Sequence, residues 1–196
     1  MKERPILFSA PMVRAILEGR KTQTRRAVKL PYNKGSLTRD VWTAFNPESA
    51  DDRDLMCLTG GPYGVVGDRL WVRETHGWND PEFERPDIED AMDRPRSPEG
   101  RWCWYRATDG EIDGPWRPSI FMPRWASRIT LEVTGVKVER LNEITTEDGR
   151  AEGQGIVWGG GCFHRSFAGL WDAVYGSGAW DANPWVWAIS FKRVTP

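Results

Sequence analysis

The sequence has few features of a secreted or membrane protein. Its 196 residues include three cysteines, Cys57, Cys103 and Cys162, which are odd in number and widely spaced, and no cleavable apolar leader precedes them. No apolar run approaches the ~20 residues that a transmembrane helix needs. These absences predict a protein of a reducing, cytoplasmic compartment with no membrane role.

Sequence signals for a metal centre or a cofactor are also missing. There is no Cys-x-x-Cys pair and no His-x-x-x-His pair, and the short Cys162-x-His164 spacing is not supported by a second pair. The run Gly159-Gly160-Gly161 is not followed by the Lys and Ser/Thr of a phosphate-binding loop. We therefore expect no metal and no cofactor. The formal net charge of -1 means that any nucleic-acid binding must come from a local patch.

Tryptophan is the residue that the sequence has in excess, with 12 copies. Most of them are expected to pack in a core, because each indole buries ~200 Å². One or two are candidates to line a pocket and stack on a base. A chain of this length with 39% hydrophobic residues fits one domain over residues 1–196 better than two separate cores.

The hydrophobic periodicity predicts an α+β chain without internal repeats. A Thr-Gly pair between two predicted strands favours a tight turn, so that three of the strands form an antiparallel meander. In chain order the predicted elements are a strand at 6–8, a helix at 11–18 that ends at Gly19, an extended segment at 21–26, strands at 69–74, 102–107, 129–133 and 136–141, a short helix capped by Thr145, a helix through 163–174 and a closing strand at 185–194.

Two stretches lack a sustained period and are predicted to be insertions. Residues 30–63 mix Pro, Gly, Asn and Asp with isolated apolar positions. Residues 77–100 are rich in Asp, Glu, Pro and Arg, which is typical of a solvated loop or a flap. Whether these insertions close over a pocket stays open.

Four segments of the chain resemble the ASCH family of PUA-like domains. The most specific is the segment from Ile16 to Arg25, in which a Gly-x-Lys-Thr-x-Thr-x-Arg run begins at Gly19. The others are the Gly67-Asp68 turn, Ile144 to Asp148 with Glu152-Gly153, and the closing strand from Trp185 to Lys192. The long insertions and the Trp-rich ending are similar to the larger members that phages and prophages carry. The resemblance implies a small mixed, mainly antiparallel β-barrel decorated with helices.

One branch of the family consists of small bacterial amidohydrolases that remove the acyl group from N4-acetylcytidine. The resemblance to that branch implies a site made of a lysine, a threonine three residues later and a glutamate, here Lys21, Thr24 and Glu152. Glu74 and Glu147 stay open as alternatives for the glutamate. Other family members are regarded as RNA-binding modules or ribonucleases, so the activity, and the choice between a modified nucleoside and RNA as partner, also stay open.

The chemistry of amide hydrolysis sets conditions on these residues. Thr24 would be the nucleophile, Lys21 the base and Glu152 the proton donor. A lysine with an ordinary pKa of ~10.4 is a poor base at neutral pH, so Lys21 needs burial or cationic neighbours. In a regular strand, positions 21 and 24 point to opposite faces, and joint action therefore requires an irregularity after Gly19.

Substrate contacts are predicted from neighbouring polar and aromatic side chains: Arg25, Arg26, Trp71, Arg73 and Glu74. The alternatives are simpler. Lys21 and Arg25 are then solvated charges, Thr24 lies on a half-exposed strand, and Arg73 and Glu74 form a surface ion pair. A pocket that binds anions or bases without catalysis and a structural phage protein also remain open.

Arg124 and Arg128 flank Trp125, and this interleaving of basic and aromatic residues suits single-stranded RNA. A salt bridge at a strand edge explains the same pattern equally well.

Overall fold

The computed structural model describes residues 1–28, 62–78, 94–110, 112, 114–153 and 163–194, with the side chains of 163–165 excepted. Most of both predicted insertions, and the Gly159-Gly160-Gly161 run, lie outside the described residues. No helix in the described part of the chain is long and apolar enough to cross a membrane.

The described residues form two sheets, three α-helices and three short 3₁₀ helices. A five-stranded sheet has the order β1-β3-β6-β7-β2, in which β1 and β3 are parallel and the other pairs are antiparallel. β4 and β5 form a separate antiparallel pair. The elements are β1 (Glu3–Leu7), α1 (Ala10–Leu17), β2 (Gln23–Ala27), β3 (Arg69–Arg73), β4 (His76–Trp78), β5 (Cys103–Tyr105), β6 (Thr130–Arg140), α2 (Thr146–Ala151), α3 (Phe163–Tyr175) and β7 (Trp185–Val194).

The larger sheet confirms the predicted α+β class and its mainly antiparallel character. No closed barrel forms within the described residues, because β1 and β2 are the two edges of the sheet and do not pair. A side chain connects these edges instead: the Arg26 guanidinium on β2 donates a hydrogen bond to the Leu7 carbonyl on β1. It also lies over the Phe8 ring, at 5.3 Å from the ring centroid.

The predicted meander around Thr134 and Gly135 is wrong. Both predicted strands are parts of β6, which pairs with β7 along its whole length and changes register between Val133 and Gly135. The glycine therefore marks a β-bulge and not a turn, a position where an extra residue kinks the strand without ending it.

The main core lies between the five-stranded sheet and α1. Buried apolar side chains from every strand of this sheet except β2 meet Val13 and Ile16 of the helix. Val13, Ile16 and Leu17 follow the predicted helical spacing, and Gly19 ends the turn with a φ of 73°. The sheet residues are Ile6 on β1, Leu70 and Val72 on β3, Leu131 and Val133 on β6, and Trp187, Ile189 and Phe191 on β7.

Two strand predictions near residue 75 need correction. β4 lies at the start of the stretch predicted as a loop, and it pairs with β5 through Gly77 and Trp104. The alternation of Leu70 and Val72 with Trp71 and Arg73 predicts a half-buried strand at β3. Trp71 is only 7% exposed, because guanidinium groups of Arg73 and Arg124 lie over its ring.

Candidate functional site

The irregularity required after Gly19 is present at the junction of α1 and β2. The backbone N–H groups of Arg20 and Lys21 both donate to the Ala15 carbonyl, at 2.9 and 3.0 Å. Lys21 then forms an isolated antiparallel bridge with Glu152, before β2 begins at Gln23. Lys21 therefore pairs with the segment after α2, whereas Thr24 pairs with Ile189 on β7. Because the two residues pair with different segments, the alternation of a regular strand does not require their side chains to point to opposite faces.

The Lys21 ammonium is sealed inside this junction. Its Nζ donates to the backbone carbonyls of Gln23 and Glu152, at 2.8 and 2.9 Å, and to Glu152 Oε2 at 2.7 Å. The Lys21 side chain has no exposed surface, and that of Glu152 is 6% exposed. All three ammonium protons thus have acceptors, one of which is the predicted glutamate.

Glu152 lies between two buried cations. Its Oε2 accepts from Lys21, and its Oε1 accepts from Arg25 Nη1 at 3.2 Å. The same guanidinium reaches Glu139 on β6, with Nε at 2.9 Å from Oε1, and Asp148 on α2 at 3.1 Å. Arg25 thereby connects three carboxylates that come from different elements.

Burial lowers the pKa of the Lys21 ammonium below its ordinary value. The Glu152 carboxylate opposes this effect, and the positive charges of Arg26 and Arg25 add to it. The result favours the neutral amine more than at an exposed lysine. A lysine pKa below its ordinary value is the condition that a role for Lys21 as a base requires.

Gly153 permits the close approach of the two segments. A Cβ at this position would lie 2.9 Å from the Lys21 Cβ and 3.0 Å from the Ala15 Cβ, and its φ of +79° favours glycine. α2, which ends just before Glu152, begins as predicted with the Thr145 side chain accepting from the Asp148 N–H. Steric crowding by Lys21 and Ala15 thus explains why a glycine follows Glu152 in the sequence.

A cavity of about 340 Å³ lies directly next to this cluster. Its polar side contains Thr24, Arg25, Arg26 and Glu152, with Lys21 behind Glu152 and absent from the lining. Its apolar walls come from the two helices that flank it. They are Pro11, Met12 and Ala15 of α1, and Phe167, Leu170, Trp171, Val174 and Tyr175 of α3.

An aromatic pair on α3 gives one of these walls its shape. The rings of Trp171 and Tyr175 stack with centroids 4.3 Å apart, and Phe167 lies 6.2 Å from Trp171. The spacing in the sequence predicts one helical face, made of Phe163, Phe167, Leu170, Trp171 and Val174, but it does not predict that this face lines a pocket. The i, i+4 spacing of Trp171 and Tyr175 was an available signal.

The predicted site residues fall into two groups. Lys21, Thr24, Arg25, Arg26 and Glu152 lie at or directly behind the cavity wall. The alternative that Lys21 and Arg25 are solvated charges is wrong, since they are 2% and 4% exposed. Thr24 is likewise buried, at 3%.

The second group, Trp71, Arg73 and Glu74, does not line this cavity. Arg73 lies over the Trp71 ring and donates to the Ile120 carbonyl. Glu74 is 1% exposed and accepts two hydrogen bonds from Arg128, at 2.9 and 3.0 Å. Burial raises the Glu74 pKa, and Arg128 opposes the rise.

The alternative glutamates are therefore placed differently from Glu152. Glu74 has Arg128 as its charge partner, and Glu147 is exposed in the first turn of α2. For Arg124 and Arg128, a salt bridge accounts for the sequence pattern, since Arg124 pairs with Glu3 and Arg128 with Glu74.

Comparison with known proteins leaves the family of this chain open. No family model matches it, and no curated protein matches it. Among solved structures, the chain is similar to protein EF3133 from Enterococcus faecalis, which is described as belonging to the family DUF984. The TM-score is 0.40 at 10% sequence identity, over 99% of this chain and 81% of the other.

Proposed function

We propose that this chain is an ASCH-like domain, with a PUA-like barrel left open between β1 and β2, and that its cavity hydrolyses the N4-acyl amide of a cytidine-type nucleoside. The observation that carries the proposal is the 2.7 Å hydrogen bond between Lys21 and Glu152, directly behind a cavity that Glu152 and Thr24 line. In this proposal Thr24 is the nucleophile and Glu152 the proton donor at the cavity wall, and Lys21, directly behind Glu152, is the base.

The Lys21–Glu152 pair holds the proton that this reaction needs. Transfer of one proton from Lys21 Nζ to Glu152 Oε2 leaves a neutral amine and a carboxylic acid. Burial disfavours the Lys21 ammonium and therefore favours this transfer from the side of the lysine. The amine can then act as the base and the acid as the proton donor, so one transfer prepares both roles.

The remaining steps balance as an acyl transfer. The Thr24 Oγ attacks the amide carbonyl carbon while its proton goes to the Lys21 amine. The C–N bond then breaks, Glu152 delivers its proton to the departing N4, and the acyl group stays on Thr24 as an ester. Water hydrolyses that ester to release the carboxylic acid and free Thr24. Arg25 and Arg26, as lining cations, are the candidates to stabilise the oxyanion and bind the substrate.

A second candidate function is RNA binding without catalysis. It is favoured by the surface around Trp71, where two arginines stack on the ring and Ile120 and Phe121 are 58% and 71% exposed. The exposed ring there is that of Phe121, next to the Ile120 carbonyl that Arg73 contacts, and an exposed aromatic ring beside a cation suits a single-stranded partner. Such binding would weaken steeply as salt rises, and it would release no product from an acylated nucleoside.

The test is the hydrolysis of N4-acetylcytidine, with the products separated by chromatography. The parent protein should release cytidine, whereas Lys21→Ala and Thr24→Val should lower the rate by about 10²-fold or more. Thr24→Val keeps the side-chain shape, so it separates loss of chemistry from loss of folding. Lys192→Ala, which removes a 62% exposed lysine on β7, is the matched control and should retain the parent rate.

Two results would contradict the proposal. No release of cytidine by the parent at high protein concentration excludes this substrate. Equal rates for the parent and Thr24→Val exclude Thr24 as the nucleophile. Retained, salt-sensitive binding of RNA together with the first result would favour the second candidate.

A further inference from the structure

The cavity has two chemically different sides. One side presents the hydroxyl and charged groups of Thr24, Arg25, Arg26 and Glu152. The other side is the space between α1 and α3, where most lining side chains are apolar or aromatic, and the polar groups are the Ser9 hydroxyl, the Trp171 indole N–H and the Tyr175 hydroxyl. Leu170 and Val174 there are 38% and 59% exposed, so they are apolar surface that a ligand can cover. A ligand that fills the cavity must therefore have a polar group joined to an apolar part.

The helical walls match one part of the proposed substrate better than the other. An N4-acylcytidine has a ribose with several hydroxyl groups on one side of its amide and an acyl group on the other. With the amide carbonyl at Thr24, one of the two parts must face the α1–α3 walls. The ribose hydroxyls would lose water there without gaining partners from Pro11, Met12, Leu170 or Val174. An alkyl chain makes no hydrogen bonds to water that it would lose there, and it covers exposed apolar surface.

We infer that the α1–α3 walls form an acyl subsite, and that the site takes N4-acylcytidines with alkanoyl groups longer than acetyl in preference to N4-acetylcytidine. This inference rests on the proposed function and specifies its substrate class. Val174 and Leu170, one helical turn apart on α3, determine the preference. Each further methylene that enters the subsite should strengthen binding about fourfold. A butanoyl group, with two more methylenes than acetyl, then gains about 15-fold by the same rule.

The experiment measures binding and turnover separately. Calorimetry on the Thr24→Val background gives the affinities for N4-acetyl-, N4-butanoyl- and N4-hexanoylcytidine without cleavage. The ratio of kcat/KM for the same three compounds is measured on the chain with Thr24 intact. Both series should rise with chain length, and Val174→Ser should lower the butanoyl-to-acetyl ratio about threefold.

The matched control is Val66→Ser. Val66 is 63% exposed, close to the 59% of Val174, but it lies in the turn before β3 and not in the cavity. This control should leave every ratio at the parent value. An equal change in Val174→Ser and Val66→Ser would show a general effect of the substitution and overturn the assignment.

The outcomes separate this inference from the proposed function. Turnover of N4-acetylcytidine with affinities that do not rise with chain length overturns the acyl subsite and leaves the hydrolase intact. Rising affinities without any turnover support the subsite and overturn the hydrolase. Absence of binding by all three compounds overturns both.

Discussion

Two buried pairs of a carboxylate and a cation lie in different parts of this chain, and they differ in what surrounds them. Glu152 with Lys21 is buried on both sides, and Glu152 also borders a cavity of about 340 Å³. Glu74 with Arg128 is buried mainly on the carboxylate side, and the Arg128 guanidinium lies over the Tyr105 ring at 3.9 Å. A buried ion pair alone therefore does not identify a site. The adjoining cavity, and the Thr24 hydroxyl that lines it, distinguish the first pair from the second.

The two pairs also differ in the number of cations. Glu152 has two buried partners, Lys21 and Arg25, whereas Glu74 has Arg128 as the partner that both of its oxygens contact. Desolvation consequently dominates at Glu74 and raises its pKa. At the first pair, the same desolvation acts on the lysine and lowers its pKa. Burial thus destabilises the charged state in both places, but on opposite partners.

The largest expected difference between the pairs is in catalysis. Glu152→Gln should lower the hydrolysis of an N4-acylcytidine by about 10²- to 10⁴-fold, since the amide cannot take up and deliver the proton. Glu74→Gln, the same change at the other pair, should leave the rate within about threefold, a local structural effect at most. Steady-state rates on folded variants decide this. Equal losses in both variants would remove the functional distinction between the pairs.

The second difference is in stability. Arg25→Met leaves Glu139, Asp148 and Glu152 without their shared cation and should lower the free energy of unfolding by about 3–5 kcal/mol. Arg128→Met should cost less, because Glu74 already has a raised pKa and can become neutral. Urea titrations of both variants at pH 7 provide the comparison. A larger loss for Arg128→Met would reverse this ranking.

The smallest expected difference between the pairs is in how the free energy of unfolding depends on pH. A carboxyl with a raised pKa in the folded state stabilises the protein fully below its unfolded pKa, and this contribution is lost as pH rises through the folded value. For Glu74 this contribution to stability is therefore lost as pH rises above about 4.5, the ordinary pKa of a glutamate. Arg128→Met raises the folded pKa further, so its cost should be small near pH 4 and grow toward pH 7, by at most about 1.4 kcal/mol per pH unit.

The control for this pH effect is the Glu74→Gln variant, which has no carboxyl to titrate. Adding Arg128→Met to it should give a cost that is nearly independent of pH. Unfolding midpoints between pH 4 and pH 7 measure all four proteins. A pH-dependent cost that persists without Glu74 would assign the effect to another group.

Local sequence signals were sufficient for elements whose own residues determine them. The helical spacing of Val13 and Ile16, the Thr145–Asp148 capping pair and the alternation along β7 each predicted an element close to its observed bounds. They succeeded because capping and periodicity act within a few residues. The prediction of a turn at Gly135 failed because a contact distant in the chain determines the structure there. A glycine serves equally in a turn or a bulge, and β7 running past it decides between them.

The sequence by itself determined the α+β class, the position of Lys21 and Thr24 after the first helix, and the Glu-Gly pair that follows α2. Only the tertiary structure decided that Lys21 would bridge to Glu152, that Glu74 would pair with Arg128, and that α1 and α3 would border one cavity. These contacts join residues that are far apart in the chain, and burial of the paired charges depends on elements that neither residue belongs to. Sequence periodicity is a local property, whereas desolvation, and with it the pKa of a buried lysine, arises from the whole packed neighbourhood.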